Sequence, residues 1–422
     1  MNELSSQYKF SYLDNGLKLI TLRMPWRHAV QLGIITKVGS RDTSPDESGI
    51  AHFLEHIFFK GTTKRDAFNL FYELEKVGGW VTAHTSQEST NIYSVVPADY
   101  TETAVDILLD IFISPTFPPD EIEKEKRVIF EEIGQIENSP SRRAWERFPK
   151  LLWDNHPLSC SVIGTKEEVK NYTRQRVLAF YNSFYTSKNS FFIGVGAVEH
   201  EQLRKLIEEK SKNINRSSMT LSRTVPSPSP TETIHEYMDT TQLHIITGRT
   251  TFKFDDPRRY AFELLGSILA SERDSSRLLQ LLREKYGLVY GVYGLSKYYS
   301  DTGFYAIDLA TSPEQLSRTL EMVREELRQL PETLTEDELE ATKLYIRGQA
   351  MIESEELSVL FWRLAGLEKL LGTYIPLEDE LEKIQRVKLG ELKELAEEYL
   401  NPENFSTLIV GKENSQEPIG KT

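Results

Sequence analysis

Two histidines and a glutamate stand in the run His52-Phe53-Leu54-Glu55-His56. On a helix, residues at i, i+3 and i+4 share a face, so both imidazoles can reach one metal ion while Glu55 points at the same spot. This is the inverted zinc motif H-x-x-E-H. A catalytic zinc needs three protein ligands and an open position. No further histidine follows on the same helix, and the single cysteine, Cys160, excludes a multi-cysteine metal site, so the third ligand should be a carboxylate from elsewhere. Apolar spacing predicts a helix over Asp120 to Ile136 with Ile122, Val128, Ile129, Ile133 and Ile136 on its apolar side. It offers Glu125, Glu131 and Glu132. Glu125 and Glu132 lie on one face, whereas Glu131 is turned about 100° away from Glu132. Periodicity thus narrows the third ligand to the Glu125/Glu132 stripe. His28, His156, His200, His235 and His244 occur singly, without spaced partners.

The elements that must position these groups occur twice. The helical run Ala51 to Phe58 is matched by Phe262 to Leu269, and Asn91-Ile92-Tyr93-Ser94 is echoed by Gly303-Phe304-Tyr305-Ala306. Pro119 to Glu123 returns as Glu336 to Glu340, and Asn189 to Gly196 as Asn404 to Gly411. Four landmarks in the same order imply an internal duplication. Strand-like runs (Leu17 to Leu22, Val30 to Val38, Asn91 to Val96, Phe191 to Val195) interrupted by amphipathic helices predict an α+β fold of two homologous α/β-sandwich domains. The expected division is an N-terminal metal-binding domain over 1–212, a polar, proline-rich linker over 213–231, and a homologous C-terminal domain over 232–422. In the second copy Glu263, Gly266, Ser267 and Gln349 stand where His52, Glu55, His56 and Glu132 stand in the first. That copy has no metal site of its own.

The 422 residues, 39% apolar and 27% charged, suit a soluble chain with sizeable cores. Fifty basic against 64 acidic residues leave a net charge of −14, which argues against nucleic-acid or anionic-membrane partners and is compatible with cationic ligands. No apolar run approaches the about 20 residues of a membrane-spanning helix. Met1 to Gln7 show neither a signal-peptide nor a transit-peptide pattern. With the lone cysteine, these features predict a reducing, cytoplasmic location.

Gly49-Ile50-Ala51-His52-Phe53-Leu54-Glu55-His56-Ile57-Phe58-Phe59-Lys60-Gly61-Thr62, preceded by Val38-Gly39-Ser40-Arg41, resembles the active-site segment of the pitrilysin and mitochondrial processing peptidase family of zinc peptidases. The resemblance spans essentially the whole chain and implies the two-repeat metallohydrolase fold of that family. It implies one zinc per chain, with His52, His56 and Glu132 as ligands and Glu125 supporting the site without being a primary ligand. By analogy, zinc polarises the scissile carbonyl and Glu55 is the general base on the attacking water. Ser275-Ser276-Arg277-Leu278 and the following Leu282 to Tyr290 resemble the segment that supplies an arginine and a tyrosine, here Arg283 and Tyr290. In the family they hold the substrate backbone and the oxyanion. Gly78 to Ser86 resembles the edge strand that pairs with an extended peptide, which makes Thr82, Ala83 and His84 substrate-binding. Thr82 stands where asparagine is common and His84 where an aromatic is common, so the backbone mode carries over and the side-chain preference does not.

The implied function is a metalloendopeptidase hydrolysing unfolded or short peptides in a closed dimeric chamber. Longer relatives carry four such repeats and this chain two, which implies a homodimer or a heterodimer with a related subunit. Alternatives within the resemblance are a dedicated peptide-maturation protease working with a partner and a non-catalytic scaffold subunit. The acidic balance, if gathered on the chamber wall, favours basic peptides.

Overall fold

Alternating apolar runs in the first half assemble as strands β1 (Tyr8–Tyr12), β2 (Lys18–Arg23), β3 (Ala29–Thr36), β4 (Trp80–Thr85), β5 (Thr90–Pro97) and β6 (Ser190–Gly196). The computed structural model describes residues 6–218 and 221–412. The first sheet has the order β1-β2-β6-β3-β5-β4, in which β2 and β6 are parallel and the remaining pairs antiparallel. In the second half β7 (Thr233–Tyr237), β8 (Leu243–Thr251), β9 (Val292–Tyr298), β10 (Gly303–Thr311) and β11 (Ser406–Gly411) form a sheet ordered β7-β11-β8-β10-β9, again with one parallel pair, β11 with β7. Matched strand for strand, this is the first sheet without β1. Sheet order thus carries the duplication seen in the sequence, and the mixed sheets with flanking helices make the fold α+β.

The helices that matter for the site are α1 (Ile50–Ile57), α2 (Pro119–Glu137), α3 (Pro140–Leu152), α4 (Arg259–Leu269), α5 (Glu336–Glu353) and α6 (Leu357–Leu371). Helices α4, α5 and α6 are the second-copy counterparts of α1, α2 and α3. Among the described residues, no helix is long and apolar enough to cross a membrane.

The compact units do not coincide with the halves of the chain. One unit gathers Met1–Ile133, Cys160–Arg223 and Met351–Glu378, and the other gathers Gly134–Ser159, Thr224–Ala350 and Asp379–Thr422. Each sheet therefore recruits a helix from the other half. In the first unit Leu360, Phe361, Leu364 and Ala365 of α6 bury against Ile20, Ile35, Phe191, Ile193 and Val195. In the second, Ala144, Phe148, Leu151 and Leu152 of α3 bury against Ile246, Phe304, Ala306, Leu408 and Val410. In the stretch read from composition as a spacer, Arg223 and Ser229 are tied down. Arg223 grips Asp42 with Nε and Nη2, both at 2.8 Å, and the Ser229 amide donates to the Leu152 carbonyl at 2.9 Å.

Candidate metal centre

Helix α1 starts where only glycine fits. Gly49 has φ 87°, and a Cβ there would lie 2.4 Å from the Ile163 carbonyl oxygen. From this start Phe53, Leu54 and Ile57 turn into the core, and Phe53 meets the Tyr172 ring edge-on at 5.2 Å. The 3.6-residue period then leaves His52, Glu55 and His56 together on the opposite, partly open face. Helix α2 buries Ile122, Glu125, Ile129 and Ile133. Val128, placed by periodicity on the apolar side, is 47% exposed, because it lies about 100° from Ile129 and off the stripe that Ile122, Ile129 and Ile133 form.

Glu132 of α2 brings Oε2 to 3.6 Å from His56 Nε2 and 3.9 Å from His52 Nε2. Ligand atoms of the three residues lie within 4.8 Å of one another, and this is the only such cluster of three or more His, Cys, Asp or Glu among the described residues. Tetrahedral zinc with bonds of about 2.0–2.2 Å sets its ligand atoms roughly 3.4 Å apart, so the donor set fits zinc once the widest separation closes by up to about 1.4 Å. Two histidine nitrogens and one carboxylate are also the donor chemistry of a zinc with an open position.

The Glu125/Glu132 ambiguity resolves by depth. Glu132 is partly exposed and faces both Nε2 atoms, whereas Glu125 is buried behind His56. Its Oε2 lies 3.2 Å from His56 Nδ1, and its Oε1 accepts from Lys60 Nζ at 2.6 Å. Fixing the proton on Nδ1 leaves Nε2 as the ligating atom. Glu131 turns to solvent. Lys60 went unread from sequence, although its position four residues after His56, one turn on, was the available signal.

Burial governs the charges. It pushes His52 down to about 3, with the neighbouring His56 adding to the effect. Burial also pulls on His56, but the hydrogen bond to Glu125 and the charges of Glu132 and Glu55 outweigh it and hold His56 above the ordinary imidazole value. Burial raises the Glu55 carboxyl, only partly offset by the neighbouring Thr85 and His56. Glu125 feels the same burial, yet His56 and Lys60 hold it below the usual carboxylate range. Among the described residues, Glu55 Oε2 has no hydrogen-bond partner.

Thr82, Ala83 and His84 lie on β4, the outer strand of the first sheet, with Thr85 at its end beside Glu55. His84 is exposed and outside the three-ligand cluster. The second unit brings Arg283 and Tyr290 to each other. The guanidinium carbon lies 5.8 Å from the Tyr290 ring centroid, and Tyr290 is 85% exposed. Arg283 also meets Asp274 at 3.5 Å and Glu284 at 3.4 Å.

The chain is similar to known proteins along nearly its whole length. Residues 18–166 match the model of insulinase, peptidase family M16, and residues 171–345 match that of the peptidase M16 inactive domain. The chain is 29% identical over 411 residues to an uncharacterized zinc protease of Rickettsia bellii, covering 96% of this chain and 98% of that one. It is also 29% identical to the uncharacterized zinc protease YmxG of Bacillus subtilis, covering 94% and 96%. A peptidase M16 inactive domain from Pseudomonas fluorescens superposes with a TM-score of 0.89 at 20% identity, over 98% of this chain and 100% of that one. A protease from Helicobacter pylori gives 0.87 at 21% identity, over 96% and 99%. Two adjoining family matches, relatives aligned over nearly their whole length and the same two-sheet fold place the chain in peptidase family M16.

Proposed function

We propose that the chain is a zinc-dependent endopeptidase acting on unfolded or short peptides. The convergence of His52, His56 and Glu132, with Glu55 beside them on the same helical face, carries this reading. His52, His56 and Glu132 would hold one zinc per chain, which would supply Lewis-acid polarisation of the scissile carbonyl and of a bound water. Glu55 takes the proton of the attacking water and delivers it to the departing amine. Burial raises its affinity for protons, which favours taking one from the water. Glu125 and Lys60 act one step back by fixing the His56 ring. Strand β4 offers unpaired backbone groups on its outer edge to an extended peptide, with Thr82, Ala83 and His84 as the contacting residues. Arg283 and Tyr290 supply donors to the substrate backbone and the developing oxyanion, a role carried over from the family resemblance.

The presence of two repeats, one with the metal ligands and one with the Arg283/Tyr290 pair, supports a self-sufficient homodimer, and the single Cys160 a reducing, cytoplasmic setting. The deciding experiment digests a peptide library with the purified chain, with and without chelator, alongside Glu55→Gln. The expected result is chelator-sensitive cleavage by the parent and zinc content without cleavage in Glu55→Gln. Undiminished turnover by that variant sinks the assignment.

A further inference from the structure

Strand β4 has a second face. Cross-strand neighbours share a face, and side chains alternate along a strand. Val81 and Thr85 are buried on the side of α1, so Trp80, Thr82 and His84 point the other way. On that side Trp80 meets Tyr93 edge-on at 5.7 Å, and Tyr93 meets Trp362 of α6 edge-on at 4.9 Å. The helix recruited from the second half thus walls a cleft of about 320 Å³ beneath the outer end of β4 and β5. His84, Asn91, Ser86, Trp362, Gly366 and Lys369 are among its lining residues, none of which is acidic, and Lys369 carries the one fixed charge. A Cβ built at Gly366 meets nothing within 4 Å, so the helix wall is open at that point.

We infer that this cleft takes an acidic side chain of a peptide held along β4, with Lys369 as the residue that reads it. The inference rests on the peptidase reading above and adds a specificity determinant to it. A peptide paired with β4 puts the residue opposite His84 on the His84 face, above the cleft, and turns that residue's two neighbours to the zinc side. Trp362 and Ile35 suit the short apolar stem of glutamate. The ammonium of Lys369 suits its carboxylate, and hydrogen bonds to an ionised partner are stronger than neutral ones. The net charge of −14 favours basic peptides at long range, but at this position the local lining decides.

The test uses the zinc-loaded Glu55→Gln chain and fluorescent peptides that carry Glu, Ala or Lys at each successive position, read by anisotropy. Glu should bind about tenfold tighter than Lys at one position and not at its immediate neighbours. Lys369→Glu should invert that ratio. Gly366→Leu, which fills the open wall at a helical site where leucine is a better helix former than glycine, should bring the Glu peptide down to the Ala peptide with zinc content unchanged. A Glu/Lys ratio indifferent to Lys369→Glu overturns the inference, as does an absence of peptide binding. Because hydrolysis is disabled in this chain, peptides that bind as predicted but are never cleaved by the parent would remove the peptidase reading and leave the cleft standing.

Discussion

Glu125 Oε2 sits 3.2 Å from His56 Nδ1 while its other oxygen accepts from Lys60 Nζ at 2.6 Å, so one buried carboxylate ties a metal-site imidazole to a lysine one helical turn away. Groups that orient metal-ligating histidines typically contribute 10–100-fold in affinity. Glu125→Gln should therefore weaken zinc binding by about that factor without emptying the site at saturating metal. Competition against a chromophoric chelator measures it, and an unchanged affinity would show that Glu125 only packs.

Glu131 and Glu132 are adjacent in sequence and opposite in consequence. Glu132→Ala should abolish stoichiometric zinc, because two imidazoles alone remain. Glu131→Ala should leave zinc content and thermal midpoint close to the parent's, as solvent-facing substitutions usually do. Elemental analysis of the two variants side by side separates them.

Zinc uptake should respond to pH with the slope of one proton. In the metal-free site His52 is neutral down to about 3, so it has no proton to release near neutrality. His56 holds its proton above the ordinary imidazole value, so zinc must displace that one. Below the His56 value, apparent affinity should fall about tenfold per pH unit, and above it level off. A slope of two would mean that His52 is also protonated. Isothermal titration across pH in buffers of different ionisation enthalpy gives the proton count directly.

Arg223 holds a buried cluster together. It chelates Asp42, and Nη1 lies 3.2 Å from Glu88 Oε1, which also meets Arg41 at 2.7 Å. Arg41, Asp42 and Glu88 are almost wholly buried. Removing one arm leaves Asp42 buried without its chelating partner, so Arg223→Ala should cost about 3–5 kcal/mol, whereas surface pairs contribute about 0–1. Urea unfolding followed by tryptophan fluorescence reads the loss as a lowered midpoint. Arg223→Lys, which keeps charge but cannot chelate, should recover only part of it.

The duplication, the H-x-x-E-H face and the Glu125/Glu132 stripe were legible because each is a periodicity, and periodicity survives in a linear string. The choice between Glu125 and Glu132 was not legible from spacing alone. Both sit on one face of α2, and only the depth at which α2 packs decides which carboxylate reaches both imidazoles. Val128 was misplaced for a related reason: an apolar residue next to the stripe looks like part of it until the neighbouring element is known. The exchange of α3 and α6 left no trace in composition, since an amphipathic helix buries the same face whichever sheet receives it. Arg223 was hidden in a stretch of serine and proline that reads as a spacer, and its partners lie 135 and 181 residues away.

Trading helices between the copies also dictates how the chain can be made. The first sheet cannot cover its α6 face until residues up to 378 have left the ribosome, and the helix that completes the second sheet emerges before any strand of that sheet. A nascent N-terminal half therefore exposes both a bare sheet face and an unclaimed amphipathic helix. Cut at the linker, neither piece carries its own lid, and two separately expressed halves would be obliged to find each other, as strangers, before either could become a folded body.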